Sequence, residues 1–244
     1  EYIIFCDDDN WLAENYVAIT YEILAANPNV GIVGGQSEAL TDAPAGFPDW
    51  FETYKSGYAV GKQANETSDI TYRKYLWGAG MGFRKSVFDL AYTGNPSLLT
   101  DRLGNELTAG GDSEICARFI LLGFKLFYDK RLYFIHFIGE GRLTETYRNQ
   151  LFEGFHMGSN VIGAYNLFID YQNRSIKQKV VTVMKSSLII ILIKLRLYEK
   201  NMLNYNALLL LIAINLKLEV ITPKTIETVV LCNKFNRDNS LLIH

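Results

Sequence analysis

The apolar run YIIFC at 2–6 stops at three consecutive aspartates, Asp7, Asp8 and Asp9, and no other stretch constrains the fold as much. A continuous apolar run of strand length reads as a strand covered on both faces, as in a parallel sheet. After the aspartates, Leu12, Tyr16, Ile19, Ile23 and Leu24 recur at helical spacing, and NPN at 27–29 stops the helix. A second apolar run, VGIVGG at 30–35, follows at once. Strand, helix and strand within about 35 residues predict the βαβ rhythm of an α/β sheet. With 244 residues, 49% of them hydrophobic, the chain can bury one sizeable core or a core with a helical annex.

Residues 36–75 are rich in Gly, Pro, Asp and Thr and predict a long surface excursion. LWGAGMGFR at 76–84 reads as a strand in which glycines replace side chains. A loop at 93–111 then leads to a helix at about 113–122, ended by Gly123. KLFYD at 125–129 and LYFIH at 132–136 read as two short strands, and from 141 onward the pattern is helical. The expected division is therefore an α/β part at 1–140 and a helical extension at 141–244.

Charge changes sign further along the chain. Residues 1–173 hold 13 Lys+Arg against 22 Asp+Glu, whereas 174–200 hold 7 against 1. No nucleic-acid partner is expected. Cys6, Cys116 and Cys232 include no close pair, so neither a disulfide framework nor a cysteine-rich zinc site is suggested, and a reducing, cytoplasmic setting is expected. No signal peptide is evident. The chain opens on a strand without an initiating Met, and its beginning is expected to be missing.

In open α/β sheets ligands bind beyond the carboxyl ends of the strands, where the aspartates stand. Two readings of the triplet remain open. One is a solvated turn in which Asp9 or Asn10 caps the next helix; the other is a D-x-D site in which Asp7 and Asp9 share a hard divalent ion with a phosphate. Asp112, after the Gly110 and Gly111 pair, can cap its helix or act as a general base toward a hydroxyl. His136 ends a strand-like run, and its imidazole could join Asp9 on a metal. Trp77 beside Gly78, Ala79 and Gly80 is either a core residue on a bulged strand or an aromatic face beside a ligand.

Taken in order, IIFCDDDN, WGAGMGFRKSVF, GGDSEICARFILLGFKL and LYFIH resemble the D-x-D strand, acceptor strand, catalytic helix start and downstream histidine of family-two inverting glycosyltransferases. The resemblance covers about residues 1–140. It implies an α/β, GT-A-like (Rossmann-like) mixed sheet flanked by helices, with a helical C-terminal extension. It further implies that Asp9, with Asp7 and His136, holds Mn²⁺ or Mg²⁺ on the diphosphate of a nucleotide-sugar donor. Asp112 would deprotonate a glycan or lipid-linked acceptor, while Asp7, residues 77–80 and Glu114 would border donor and acceptor. Gly111 stands where the family usually has Glu, and the Q-x-x-R-W pattern of processive relatives is absent, so one sugar per encounter is expected. The family's nucleotide-binding first half would precede residue 1. Rival readings are a catalytically silent sugar-binding or partner-binding remnant and a nucleotidyltransferase.

Residues 174–200 combine the basic count with an apolar centre. They read either as a helix lying in an anionic membrane surface, on the inner face of the membrane, or as a bundle helix with a solvated lysine face.

Overall fold

The computed structural model describes residues 1–99 and 110–194. It is a mixed α/β structure in which a curled mixed sheet is flanked by helices. The strands are β1 (Tyr2–Ile4), β2 (Asn10–Leu12), β3 (Val30–Leu40), β4 (Ser68–Asp69), β5 (Gly82–Arg84) and β6 (Lys125–Phe137), in the order β1-β5-β3-β6-β2, with β4 also on β6.

The predicted βαβ unit takes a different form. β1 and β3 do run parallel, but β5 lies between them and is antiparallel to both, with Phe83 opposite Ile3 on one side and Ile32 on the other. β5 is also shorter than the predicted strand at 76–84, because residues 78–81 turn (Met81 N–H donates to Gly78 O at 3.0 Å). The surface excursion predicted from residue 36 begins later, since β3 runs on to Leu40 beside β6.

KLFYD and LYFIH are one strand rather than two. The parallel register passes from Gly34↔Tyr128 to Gln36↔Tyr133, so β6 bulges by several residues opposite Gly35. Asp129 seals the bulge by accepting from the Arg131 backbone N–H at 2.9 Å and from its guanidinium. A side chain at Gly35 would place its Cβ 1.6 Å from Leu132 O, so only glycine permits the approach.

Helix α1 (Tyr16–Ala26) covers one face of the sheet, packing Tyr16, Ile19, Ile23 and Leu24 on Val33, Leu132 and Phe134. After the short α2 (Phe51–Tyr54) and α3 (Lys85–Tyr92), α4 (Gly111–Leu121) covers the other face, with Cys116 and Phe119 against Phe83 and Leu126. α5 (Glu145–Gln172) then seals α4, and its Tyr165, Phe168 and Ile169 belong to the same apolar cluster. The predicted helix at 113–122 therefore stands within a residue or two of its expected bounds, and Gly123 follows it with φ +88°.

Arg84 ties the end of α1 to the sheet: its guanidinium donates to Leu24 O, to Asn27 O at 2.8 Å and to Val30 O at 2.7 Å. These carbonyls lie at or just past the end of α1, where the helix itself supplies no donors. Arg84→Met should cost about 1–3 kcal/mol of stability, read as a lower urea midpoint at unchanged slope.

Candidate functional site

The sheet order brings the aspartates onto the carboxyl edge of the strands. In a flat sheet β1 and β2 would stand four spacings, about 19 Å, apart. The connection at 5–9 contains a tight turn (Asn10 N–H to Asp7 O, 3.1 Å) and reaches less than that, so the sheet must curl. Phe5 N–H donates to Met81 O at 2.9 Å, which starts the connection beside the 78–81 turn. It ends against β6, where Asn10 pairs with His136 and Phe137 N–H donates to Asp9 O at 2.8 Å.

That ladder places His136 Nε2 3.5 Å from Asp9 Oδ2. His136 Nδ1 lies 2.6 Å from Tyr58 O. A carbonyl only accepts, so Nδ1 carries the hydrogen and Nε2 presents its lone pair toward the carboxylate. Burial holds the imidazole pKa below its ordinary value; Asp9 opposes this and Arg142 adds to it. The neutral lone pair and the carboxylate face each other as two acceptors, and the Arg142 guanidinium reaches the same Asp9 oxygen. A metal-binding histidine commonly has its other N–H on a backbone carbonyl, as here.

Asn10 organises the triplet. Its Nδ2 donates to Asp7 Oδ2 at 3.1 Å and to Asp9 Oδ1 at 3.2 Å, while its Oδ1 is buried without a hydrogen-bond partner. The capping reading is corrected, because the N-cap of α1 is Asn15 and Asn10 opens β2. The extended D-x-D geometry is corrected too: residues 7–10 turn, and one amide rather than chain alternation holds Asp7 and Asp9 together. Asp8 is exposed. The second oxygen of Asp9 also receives the Arg142 guanidinium, which the Tyr147 hydroxyl supports at 3.2 Å.

Among the described residues no three His, Cys, Asp or Glu side chains converge into a metal cage. Mg²⁺ can also be held by one or two carboxylates with substrate phosphate and water completing the shell, and Asp9 is the carboxylate that His136 faces. Asp7 stands beside them on the Asn10 amide.

Asp112 meets the 78–81 turn. Its Oδ2 accepts from Gly78 N–H at 3.1 Å and its Oδ1 from Ser113 N–H at 2.6 Å. The N-cap position belongs to Gly110, at φ +119°, so Asp112 sits inside the first turn of α4, where a carboxylate is also favoured. Gly80 (φ +71°) closes the turn and its carbonyl accepts from Tyr16 OH at 2.8 Å; a Cβ there would stand 2.4 Å from that hydroxyl. Asp112, Gly78, Met81, Phe5 and the aspartates thus form one backbone-linked chain along the sheet edge.

Two predicted site residues stand elsewhere. Trp77 is 7% exposed, and its backbone N–H donates to Gln63 Oε1 at 3.0 Å, so the ring packs inside rather than offering a stacking face. Glu114 is fully buried. Its carboxylate accepts from Ser97 Oγ (2.7 Å), Leu98 N–H, Leu99 N–H (2.8 Å), Tyr165 OH (2.9 Å) and the Arg118 guanidinium (2.8 Å), so it anchors residues 97–99. The residues of the site that the sequence pattern did not mark are Asn10, Tyr58 and Arg142. Asn10 adjoins the triplet, but nothing periodic distinguishes Tyr58 or Arg142, which only the tertiary fold brings in.

Comparison of the chain with known protein families and with curated proteins finds no match.

Proposed function

We propose that this chain carries the metal and acceptor side of an inverting, non-processive glycosyltransferase of GT-A type, acting on a nucleotide-sugar donor and a hydroxyl acceptor. The observation that carries the reading is the meeting of Asp9 with the neutral Nε2 of His136, distant in sequence, on the strand edge that also holds Asp112. A divalent ion on Asp9 and His136 would neutralise the departing nucleoside diphosphate. Asp112 takes the proton of the acceptor hydroxyl, whose oxygen then attacks the anomeric carbon from the side opposite the diphosphate and inverts it. The Gly78 N–H fixes one carboxylate oxygen of that base. Trp77 and Glu114 act from behind, holding the turn and the loop.

A specific observation favours a second reading. Arg142 already supplies Asp9 with a cation, as a sugar-binding or partner-binding domain without chemistry would need. Titration calorimetry with a panel of nucleoside diphosphates separates the two. In the transferase, at least one diphosphate binds with Mn²⁺ and loses at least about tenfold in affinity with EDTA or with Asp9→Asn, since a charged partner is worth more than about 1.4 kcal/mol. Binding of every diphosphate that ignores the metal, or no binding by well-folded protein, would sink the transferase reading.

A further inference from the structure

Helix α6 (Ile176–Lys194) exposes a stripe of apolar residues. Ile176, Val180, Val181, Met184, Leu188 and Ile191 are between 42% and 82% exposed. On a wheel of 3.6 residues per turn they fall within an arc of about 140°. On the opposite side Ser186 is buried and Thr182 half-buried, with Thr182 Oγ1 accepting from the Arg174 guanidinium at 2.5 Å. Single exposed apolar residues are ordinary, but a continuous stripe marks a docking face.

The charge beside the stripe identifies what covers it. Residues 174–194 carry Arg174, Lys177, Lys179, Lys185 and Lys194 and no acidic residue. Lys177 and Lys185 are exposed, the first inside the apolar arc and the second at its border. Pairing the stripe with a second copy would bring lysines against lysines. An anionic bilayer satisfies both demands: the apolar arc enters the acyl boundary, and the lysines extend their stems along it to leave their ammonium groups among lipid phosphates. Among the described residues no helix is long and apolar enough to cross a membrane, so α6 would lie in the surface.

We infer that α6 is an interfacial anchor that docks this protein on anionic lipid. The inference stands on α6 alone and does not rest on the transferase reading. Full-length chain should be mixed with vesicles of phosphatidylcholine containing roughly one quarter phosphatidylglycerol, and with phosphatidylcholine alone, and sedimented. Partition should be at least about tenfold stronger on the anionic vesicles and should fall at about 0.5 M salt. Lys177→Glu with Lys185→Glu should weaken it more than about tenfold. Met184→Glu with Leu188→Glu should abolish it at unchanged circular dichroism and Tm, because both residues are exposed. The inference is overturned by no partition at low salt, by equal partition on neutral vesicles, or by binding that survives the Met184→Glu, Leu188→Glu pair. It is equally overturned if light scattering shows a vesicle-indifferent dimer that this pair dissociates, which would make a second copy the occupant.

Discussion

Asp112→Asn should leave the protein folded and lower sugar transfer by about 10²–10⁴-fold, the span that a positioned general base contributes. The substitution keeps an oxygen that can accept from Gly78 N–H, so the 78–81 turn stays tied to α4. It loses the capacity to take a proton and, with the amide nitrogen facing Ser113 N–H, one local hydrogen bond worth about 1 kcal/mol. The loss should appear in kcat with little change in donor affinity, because in the proposed reaction the donor diphosphate is read by the Asp9 and His136 end of the site. Release of nucleoside diphosphate from a nucleotide sugar, with and without acceptor, measures it. A variant that keeps full transfer rate would remove Asp112 from the role of base.

Arg118→Met should be the most destabilising of the conservative changes in α4, at about 3–5 kcal/mol, because it strands a buried carboxylate. Arg118 has no exposed surface. Its guanidinium donates to Glu114 Oε1 (2.8 Å), Tyr165 OH (3.0 Å), Ala91 O (2.9 Å), Asn95 O (2.8 Å) and Pro96 O (2.8 Å). One side chain thus joins the end of α3 (Lys85–Tyr92), the loop after it, α4 and α5. Burial, with the neighbouring Glu114 charge, pushes the Tyr165 phenol well above its ordinary pKa, so it stays protonated and donates to the same carboxylate. Stability of typical domains is only about 5–15 kcal/mol, so the variant should unfold at a much lower urea midpoint. Adding Glu114→Leu should return part of the loss, because a buried pair replaced as a unit costs less than one charge left alone. If Arg118→Met cost no more than an exposed substitution, the network would not be holding residues 95–99 against α4.

The fold and the site differ in how far local pattern reaches them. α1 and α4 were legible because helical periodicity and a stop, NPN at 27–29 and Gly123, occur within a dozen residues of each other. His136 was legible near a strand end because the apolar run LYFI leads up to it. β6 was misread as two strands because the bulge at 129–132 carries Asp, Lys and Arg, which in isolation read as a turn. β5 was overlong because glycines at 78 and 80 permit a strand and a tight turn alike, and only Tyr16 and Asp112 decide for the turn. Only the resemblance to family-two glycosyltransferases, not local pattern, puts Glu114 beside donor and acceptor. Nothing in its neighbours reveals that Arg118 and Tyr165 draw it inside.

By itself the sequence determined the α/β class, the limits of its clearest helices, the acidic turn after the first strand and the basic, apolar character of 174–194. Each of these is set by composition or spacing within a few turns of chain. Tertiary structure alone decided that β5 inserts antiparallel between β1 and β3, that Asp9 faces His136 while Arg142 reaches the same oxygen, and that α6 leaves a stripe of apolar residues exposed. These outcomes depend on which distant segments pair and what each burial leaves exposed. Hydrophobic burial is non-directional and backbone hydrogen bonding is common to every residue, so neither names its partner until the whole chain is packed.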